Sequence, residues 1–407
     1  MLTPEQRKQF NEIFEELGKS LDITPTQYEA AVKSYEFVGD WLSRPESLLA
    51  PFKPEVLPQG SFLLGTMVKP VHDDDDLDVD LVCRLEGKKQ AWTQYDLKKI
   101  VGDRLKDHET FKRMLDKEGR RCWTLVHRDS AKFHMDVLPA IVNQNFRILL
   151  EKSMSASELS NVAELAIRIT DRLTPNYYTS PEPSTWLKSN PFGYAAWFKL
   201  RASLDIRKSF SLNEAVQPLP EYHEKKLPLQ RITQILKRHR DIMFNGDEDK
   251  PISIIITTLA AIAYQQQTDV IDGLISVVHT MENFIEERYD HTLGRTIKWI
   301  ANPVNAEENF ADKWPLHPNK QSNFYKWLQH VKSDVANITG QRGLHRIQEA
   351  LSNPFGPREV KTAFSNIGNA AMEQRESGIM KMAAGSGILS NVGRTNVPHH
   401  NNFGKDE

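Results

Sequence analysis

The 407-residue sequence contains two cysteines, Cys83 and Cys122. A structural zinc site generally needs four Cys or His ligands clustered in sequence, so the composition argues against a thiolate metal site. Each thiol lies in an apolar, strand-like run, which predicts buried free thiols. Because free thiols persist in reducing compartments, we expect a cytoplasmic protein.

The sequence also lacks an excess of charge of either sign and any long apolar run. Its formal net charge is −2, whereas proteins that coat nucleic acid are usually strongly basic. The longest apolar stretch, residues 252–264, contains Ser253, Thr257 and Thr258 and is too short to span a bilayer. The N-terminus lacks the basic and apolar regions of a signal peptide. We therefore predict no stable DNA or RNA partner and no membrane partner.

A Gly-Ser pair followed by alternating carboxylates is the most informative stretch of the chain. Residues 59–66 are Gln-Gly-Ser-Phe-Leu-Leu-Gly-Thr, and residues 73–82 are Asp-Asp-Asp-Asp-Leu-Asp-Val-Asp-Leu-Val. Gly60 and Ser61 open a predicted short helix, whose N-terminal N–H groups favour a phosphate. A predicted strand over 77–85 places Asp78 and Asp80 on one face. Adjacent carboxylates repel each other, and Mg²⁺ bound with substrate phosphates relieves that repulsion, so the pattern predicts phosphoryl or nucleotidyl transfer.

A third carboxylate follows in residues 133–139, Phe-His-Met-Asp-Val-Leu-Pro, where Asp136 stands in the same apolar alternation. Together these motifs resemble the nucleotidyltransferase superfamily of DNA polymerase beta and the poly(A) polymerases. The fuller resemblance, over about residues 25–335, is to the CD-NTases of antiphage CBASS systems, bacterial relatives of cyclic GMP-AMP synthase. It implies an α+β fold: a polymerase-beta-like lobe with a mixed sheet, a helical second lobe, and an active site in the cleft.

The resemblance implies roles for these residues. Asp78, Asp80 and Asp136 would bind two Mg²⁺ ions, with Mn²⁺ as an alternative, and Asp136 would help to lower the pKa of the attacking hydroxyl. Gln59, Gly60 and Ser61 would orient the donor phosphates.

Further nucleotide contacts are implied in the second lobe. Lys237, on a predicted helix over 229–244, and Ser253, at the start of the next helix, would grip the triphosphate. From the residues alone, the basic run 237–240 equally suits a solvated helix end. In the segment 302–314, Asn309 would lie near the base, as would Glu307, Glu308 and Asp312.

Other interpretations of the acidic residues stay open. Residues 73–76 suit a solvated loop. A calcium loop fails because Val79 stands where glycine is needed and Leu85 where glutamate is needed. His134 shares a face with Asp136, and it either approaches the site or serves as a hydrogen-bonded structural residue.

The predicted organisation has four parts. These are N-terminal helices including a spine helix (1–50), a nucleotidyltransferase core (51–190), a helical lobe (191–384) and a mobile tail (385–407). Thr3-Pro4 and Thr24-Pro25 are predicted helix starts with capping boxes. Within the core we predict a helix over 92–118 and strands over 122–127 and 133–141, which a polar turn joins into an antiparallel hairpin.

The implied function is Mg²⁺-dependent synthesis of a cyclic di- or trinucleotide messenger from nucleoside triphosphates. ATP is the expected substrate and the second base is open. Alternatives are nucleotidyl transfer to an RNA end, transfer to a protein or small-molecule hydroxyl, and a catalytically silent nucleotide-binding scaffold. The resemblance also implies conjugation or regulatory partner proteins of a defence operon. Tails of the family are conjugated to targets by a ubiquitin-like system, and this tail departs from that pattern because three residues follow Phe403-Gly404. Animal relatives sense DNA through a zinc ribbon, which two separated cysteines cannot form, so we expect no activation by duplex DNA.

Overall fold

The structure is a computed structural model that describes residues 2–72, 74–127, 132–142, 153–154, 162, 165–204, 210–211, 222, 225–382, 389–390 and 395–397. Asp73, residues 128–131 of the predicted polar turn, and most of the predicted tail, including Phe403-Gly404, lie outside the described residues.

The helices are α1 Pro4–Ser20, α2 Pro25–Ser43, α3 Gly60–Leu64, α4 Gln94–Lys106, α5 Glu109–Met114, α6 Pro191–Ala202, α7 Pro228–Phe244, α8 Ser253–Ala263, α9 Val270–Thr280, α10 Pro318–Gly340, α11 Leu344–Phe355 and α12 Pro357–Glu376. The strands are β1 Glu55–Pro58, β2 Leu77–Leu85, β3 Trp123–His127, β4 Phe133–Ile141, β5 Ser153–Met154, β6 Ile167–Ile169, β7 Leu187–Ser189, β8 Phe210–Ser211, β9 Glu286–Asp290, β10 Arg295–Trp299, β11 Ala301–Asn302, β12 Asn305–Asn309, β13 Lys381–Met382, β14 Leu389–Ser390 and β15 Thr395–Asn396.

Packing divides the chain into two compact units. The core unit comprises Ile23–Gln230 and Glu287–Asp312, and the helical unit comprises Met1–Asp22, Arg231–Glu286 and Lys313–Glu407. Because distant segments pack together, these units divide the chain at positions other than 50, 190 and 384. The four predicted parts therefore stay a prediction.

The core unit is built on a mixed sheet. Its strand order is β1-β2-β4-β6-β7, and β3 pairs with the first half of β4. The central pair β2–β4 is parallel, and the other pairs are antiparallel. The predicted α+β class with a mixed sheet is confirmed, and so is the antiparallel pairing of the two strands that flank the polar turn.

One face of the central strands forms the hydrophobic core. Val79, Leu81, Met135 and Val137 are buried in one cluster with apolar residues of α2 and α4. Burying each such side chain contributes about 1.5–3 kcal/mol. This anchorage fixes the register, since a shift of one residue would turn the apolar side chains to the opposite face.

The predicted helix over 92–118 is interrupted after α4. His108 adopts an extended conformation, and its Nδ1 accepts a hydrogen bond from the backbone N–H of Thr110 at 3.3 Å, which starts α5. The His108 ring also packs between Phe37, Trp41 and Phe111. A side chain that caps the new helix and fills an aromatic cluster therefore breaks the predicted single helix.

The helical unit contains α1, most of α7 and the helices from α8 to α12. Thr3 forms the predicted capping box of α1, and Phe10, Ile13, Phe14 and Leu17 of this helix are buried. Arg231 of α7 is fully buried, and its Nη1 donates to Asp22 Oδ2 at 2.7 Å. Among the described helices, none combines the length and apolarity that crossing a bilayer requires.

Candidate active site

The sheet places Asp80 and Asp136 side by side. Asp80 of β2 pairs with Asp136 of β4, and Asp78 pairs with His134. Neighbouring strands lie about 4.8 Å apart, so the two carboxylates start from adjacent backbone positions on the same face. Asp78 is exposed, whereas Asp80 and Asp136 are half-buried. The alternation seen in the sequence therefore produces one acidic face opposite the apolar one.

Asp136 is oriented by a neighbouring hydroxyl. Thr124 of β3 pairs with Asp136, and its Oγ1 donates to Asp136 Oδ1 at 2.5 Å. Within the described residues, this is the hydrogen bond found for the Asp136 carboxylate, and Oδ2 keeps its lone pairs for another ligand. A neutral donor fixes the carboxylate without neutralising its charge.

Gly60 lies directly against Asp80. Its φ is +58°, a left-handed conformation that favours glycine. A Cβ at this position would collide with Asp80 Oδ2 and would lie 3.3 Å from Asp80 Cγ. The backbone N–H of the preceding Gln59 donates to the Asp80 carbonyl at 2.8 Å. Glycine is therefore required at position 60 by both the backbone conformation and the proximity of the carboxylate.

The short helix α3 is held at both ends. It begins at Gly60 as predicted and ends at Leu64, and Gly65 with φ +67° caps its C-terminus. The Ser61 carbonyl accepts from the Thr66 N–H at 2.9 Å, and the Leu64 carbonyl accepts from Gln230 Nε2 at 2.8 Å. The Gln59 side chain makes no capping bond to the helix. These contacts set the backbone of the Gly-Ser turn next to the acidic face.

The residues around the acidic run have different surroundings. His134 Nε2 lies 2.8 Å from Asp76 Oδ2, in the geometry of an ion pair. This contact agrees with the interpretation of His134 as a hydrogen-bonded structural residue. Asp74 is fully exposed and lies 3.4 Å from Lys132 Nζ, which agrees with a solvated loop, but Asp76 departs from that interpretation through its contact with His134.

The acidic face also acts on a thiol. Burial raises the pKa of Cys122 to about 12, and the negative charges of Asp136 and Asp80 add to the increase. Cys122 directly precedes β3, the strand that carries Thr124. The thiol is therefore a reporter of the electrostatic potential at the two carboxylates.

The donor set of this face fits a partial magnesium site. Over the described ranges, which omit Asp73, no three Asp, Glu, His or Cys side chains converge to form a complete metal cage. Mg²⁺ is usually held by one or two carboxylates together with substrate phosphates and waters. Asp78, Asp80 and Asp136 supply oxygen ligands of this kind, and the remaining ligands would come from the triphosphate.

Lys237 and Ser253 belong to the helical unit. The predicted start of α8 at Ser253 is confirmed. Ser253 Oγ accepts from Arg240 Nη1 at 3.2 Å, and the same Nη1 donates to the Pro251 carbonyl at 2.8 Å. Because guanidinium is donor-only, the Ser253 hydroxyl hydrogen must donate to a different group.

Of the two interpretations of the basic run 237–240, the solvated helix end is wrong. Lys237, Arg238, His239 and Arg240 are all buried. Arg238 pairs with Glu359 at 3.0 Å, and His239 Nε2 lies 2.9 Å from Asp334 Oδ2. Contacts with acidic residues about 100 positions later in the chain therefore hold Arg238 and His239 inside the protein.

The Asn309 side chain is hydrogen-bonded to the backbone of the turn around it. Its side chain is buried, Oδ1 accepts from the N–H groups of Ile300 and Ala311 at 2.9 Å each, and Nδ2 donates to the Lys298 carbonyl at 3.0 Å. One amide hydrogen is left for a ligand. The first role of Asn309 is therefore structural, while Glu307 is exposed on the same strand β12.

Thr124 and Arg240 are site residues that the sequence interpretation missed. Thr124 alternates with apolar neighbours in β3, so pairing the two predicted strands would have identified it as a neighbour of Asp136. Arg240 carries no comparable signal, because its contact with Ser253 depends on how the turn between α7 and α8 folds.

Comparison with known proteins agrees with this geometry. Residues 54–139 match the family described as "Cyclic GMP-AMP synthase DncV-like, nucleotidyltransferase domain". The match contains Gly60, Ser61, Asp78, Asp80 and Asp136, the residues on which the predicted resemblance rests.

Two relatives match over most of the chain. The c-di-GMP synthase of Roseivirga ehrenbergii is 26% identical over 396 residues, which cover 95% of this chain and 94% of the relative. The cyclic dinucleotide synthase CdnG of Bradyrhizobium diazoefficiens is 22% identical over 378 residues, covering 86% and 80%.

Two solved structures show the same fold. The structure of Bradyrhizobium diazoefficiens CdnG in complex with GTP has a TM-score of 0.62 at 20% identity, covering 88% of this chain and 99% of that one. Escherichia coli MS115-1 CdnC with ATP has a TM-score of 0.54 at 12% identity, covering 85% and 96%. The likeness extends over both compact units, each of which is represented in these coverages.

Proposed function

We propose that the chain is a nucleotidyltransferase of the DncV-like type, a CD-NTase, and that it joins nucleoside triphosphates into a cyclic dinucleotide. A cyclic trinucleotide is the alternative product. The observation that carries the proposal is the pairing of Asp80 with Asp136 in register, with Gly60 packed against Asp80. The absence of a Cβ at Gly60 lets the backbone of the Gly-Ser turn lie against the Asp80 carboxylate, which places a candidate phosphate cradle beside a candidate metal ligand.

The residues of the acidic face divide the work of nucleotidyl transfer. Asp78, Asp80 and Asp136 would hold Mg²⁺, which supplies charge neutralisation of the triphosphate and acidification of the attacking hydroxyl when it is bound. Thr124 holds Asp136 Oδ1 in place, so that the carboxylate keeps one orientation while its other oxygen serves the site. Gly60 and Ser61 align the phosphates for in-line attack, and pyrophosphate leaves.

Two residues of the helical unit are proposed to bind the donor triphosphate. Lys237 contributes a positive charge, and Ser253 contributes a hydroxyl at the first turn of α8. The bond from Arg240 occupies an acceptor site of Ser253 Oγ and so favours Ser253 as a donor to phosphate oxygen. Gln59 and Asn309 remain proposed nucleotide contacts, with Asn309 restricted to its one remaining amide hydrogen.

The substrates are proposed to be ATP, GTP or both. ATP is the expectation from the resemblance, and a relative named c-di-GMP synthase makes GTP the other triphosphate to test. The purified protein should be incubated with each labelled triphosphate, alone and in pairs, with Mg²⁺ or Mn²⁺. We expect a product that resists phosphatase and lacks a free 3′ end.

Other products would separate the competing functions. Extension of an added RNA primer would indicate transfer to an RNA end, and label on a protein would indicate nucleotidylation. Absence of pyrophosphate release with every triphosphate would indicate a scaffold. Any of these results, obtained without a cyclic product, would overturn the proposal.

We place this activity in antiphage defence. The support is the resemblance to CBASS synthases, with conjugation or regulatory proteins of the same operon as the proposed partners. Cells that carry the operon with the wild-type gene should resist phage, and cells with Asp80→Asn should not. Equal plaque numbers with both genes would reject the defence role while leaving the enzymatic proposal intact.

A further inference from the structure

A pair of arginines lies on the core unit outside the acidic face. Arg120 and Arg121 precede β3, and both approach Asp171, which follows β6. Arg120 Nε donates to Asp171 Oδ1 at 2.7 Å, and Arg121 Nε donates to Asp171 Oδ2 at 2.7 Å. Asp171 is fully buried, whereas 47% and 45% of the two arginine side chains are exposed.

The anchor of this arginine pair is rigid. The backbone N–H of Asp171 donates to Gln94 Oε1 at 2.9 Å, and Asp171 Oδ1 also accepts from the Leu173 N–H at 2.9 Å. The carbonyls of the arginines are held as well, by Lys98 Nζ at 3.1 Å and by Thr170 Oγ1 at 3.1 Å. In both arginines hydrogen bonds hold the backbone carbonyl and Nε, so the position of each guanidinium group is fixed before a ligand binds.

The outer edges of the guanidinium groups remain available. An arginine has five N–H donors, and the tether to Asp171 uses the Nε–H of each. Among the described residues, no hydrogen bond from the Nη atoms of Arg120 or Arg121 is found. Two guanidinium groups against one carboxylate also leave a net positive charge, on a chain whose total is −2.

Neutralising the charge of Asp171 does not by itself explain why two arginines contact it. One arginine can satisfy a carboxylate through two parallel N–H bonds, and here two arginines each contribute a single Nε bond instead. Fixed guanidinium forks with free Nη groups match the oxygens of a phosphate. We propose that Arg120 and Arg121 form a binding site for the phosphate group of a small-molecule ligand.

A buried hydroxyl follows the anchoring aspartate in the chain. Tyr177 lies in the loop that follows Asp171, and its Oη is buried without a hydrogen-bond partner among the described residues. Burial and the charge of Glu118 raise the pKa of Tyr177, so its hydroxyl remains protonated and able to donate.

Inorganic phosphate is the probe for the test. Its binding to the full chain should be followed by phosphorus NMR at low ionic strength with EDTA, so that metal-dependent phosphate binding at Asp78 and Asp80 does not contribute. We expect a Kd of about 1 mM for the wild type. Arg120→Gln with Arg121→Gln should weaken binding at least about tenfold, because two charge-assisted contacts are lost.

Two matched variants separate a built site from diffuse charge. Arg113→Gln with Arg346→Gln removes the same charge from two exposed positions and should change the Kd less than about twofold. Arg120→Lys with Arg121→Lys keeps the charge but lacks the tethered fork, and it should weaken binding at least about fivefold. If the variant Arg120→Gln with Arg121→Gln (the glutamine pair) does not fold, the variant Arg120→Lys with Arg121→Lys (the lysine pair) decides the test.

Several results would overturn the proposal. These are a glutamine pair that binds phosphate like the wild type, a lysine pair that does so, and acetate that competes as well as phosphate. The measurement needs neither nucleoside triphosphate nor catalysis, so its outcome is independent of the proposed synthase activity.

Discussion

Asp136 and Asp171 are two aspartates of the same unit with opposite electrostatic surroundings. Asp136 is half-buried and receives its described hydrogen bond from the neutral hydroxyl of Thr124. Asp171 is fully buried and is contacted by the guanidinium groups of Arg120 and Arg121. Within the part of the chain that is described, no Lys or Arg ion pair to Asp136 is found.

The difference separates a carboxylate that stabilises the fold from one that can bind a cation. Burial on its own raises the pKa of Asp171, but the hydrogen bonds from the two arginines lower it below its ordinary value. Its charge is compensated inside the protein. Within the described residues no Lys or Arg compensates the charge of Asp136 in this way, and the neighbouring Asp80 adds to it, so we expect this face to attract an external cation.

The largest expected effect is on catalysis. Asp136→Asn or Asp80→Asn should lower kcat by about 10³-fold or more, roughly 4 kcal/mol, because a magnesium ligand is lost. Stability should not fall, since removing one carboxylate relieves repulsion. Turnover of labelled triphosphate and urea unfolding midpoints would measure both. Normal turnover in these variants would contradict the metal-ligand assignment, and an activity loss caused by unfolding would appear as a lower midpoint.

The sequence predicted this face because its signal is local. The alternation over 77–85 and 133–139 gave β2 and β4, and the register then places Asp80 beside Asp136. The strands β9 to β12 were not predicted, because few of their side chains are buried and their sequences lack an apolar alternation. The burial of Arg238 depends on Glu359, about 120 residues later, and such long-range pairing leaves no mark on the local pattern.

The second prediction concerns Asp171 and pH. Asp171→Asn should lower the free energy of unfolding by about 3 kcal/mol at pH 7, because one buried ion pair is broken. The folded-state pKa of Asp171 lies below its unfolded value, so its contribution is complete above the unfolded pKa and is lost as pH falls through the folded pKa. The difference between wild type and variant should stay constant from pH 7 to about 5 and shrink below about pH 4. A difference that is constant down to pH 2 would contradict the ionic role.

The third prediction isolates the contact between Gly60 and Asp80. Gly60→Ala should cost about 1 kcal/mol for the left-handed backbone and more for the collision with Asp80. Gly294→Ala is the matched control, because Gly294 has φ +64° and open space around its Cα. Comparing urea midpoints subtracts the backbone term. Equal midpoints and unchanged turnover in Gly60→Ala would show that the close approach to Asp80 is not needed.

The smallest effect is expected at Cys122, and it tests the potential of the acidic face without catalysis. Burial and the charges of Asp136 and Asp80 raise the pKa of this thiol to about 12, so alkylation at pH 8 should be much slower than for an ordinary thiol. Asp136→Asn should speed alkylation a few-fold, because one negative charge is removed, and Mg²⁺ should act in the same direction on the wild type. Cys83 is fully buried and serves as the internal control that stays unlabelled. Mass spectrometry of each cysteine over time gives the rates. Identical rates for Cys122 in wild type and Asp136→Asn would mean that its slow reaction comes from burial alone, and the contrast between Asp136 and Asp171 would then rest on their hydrogen bonds.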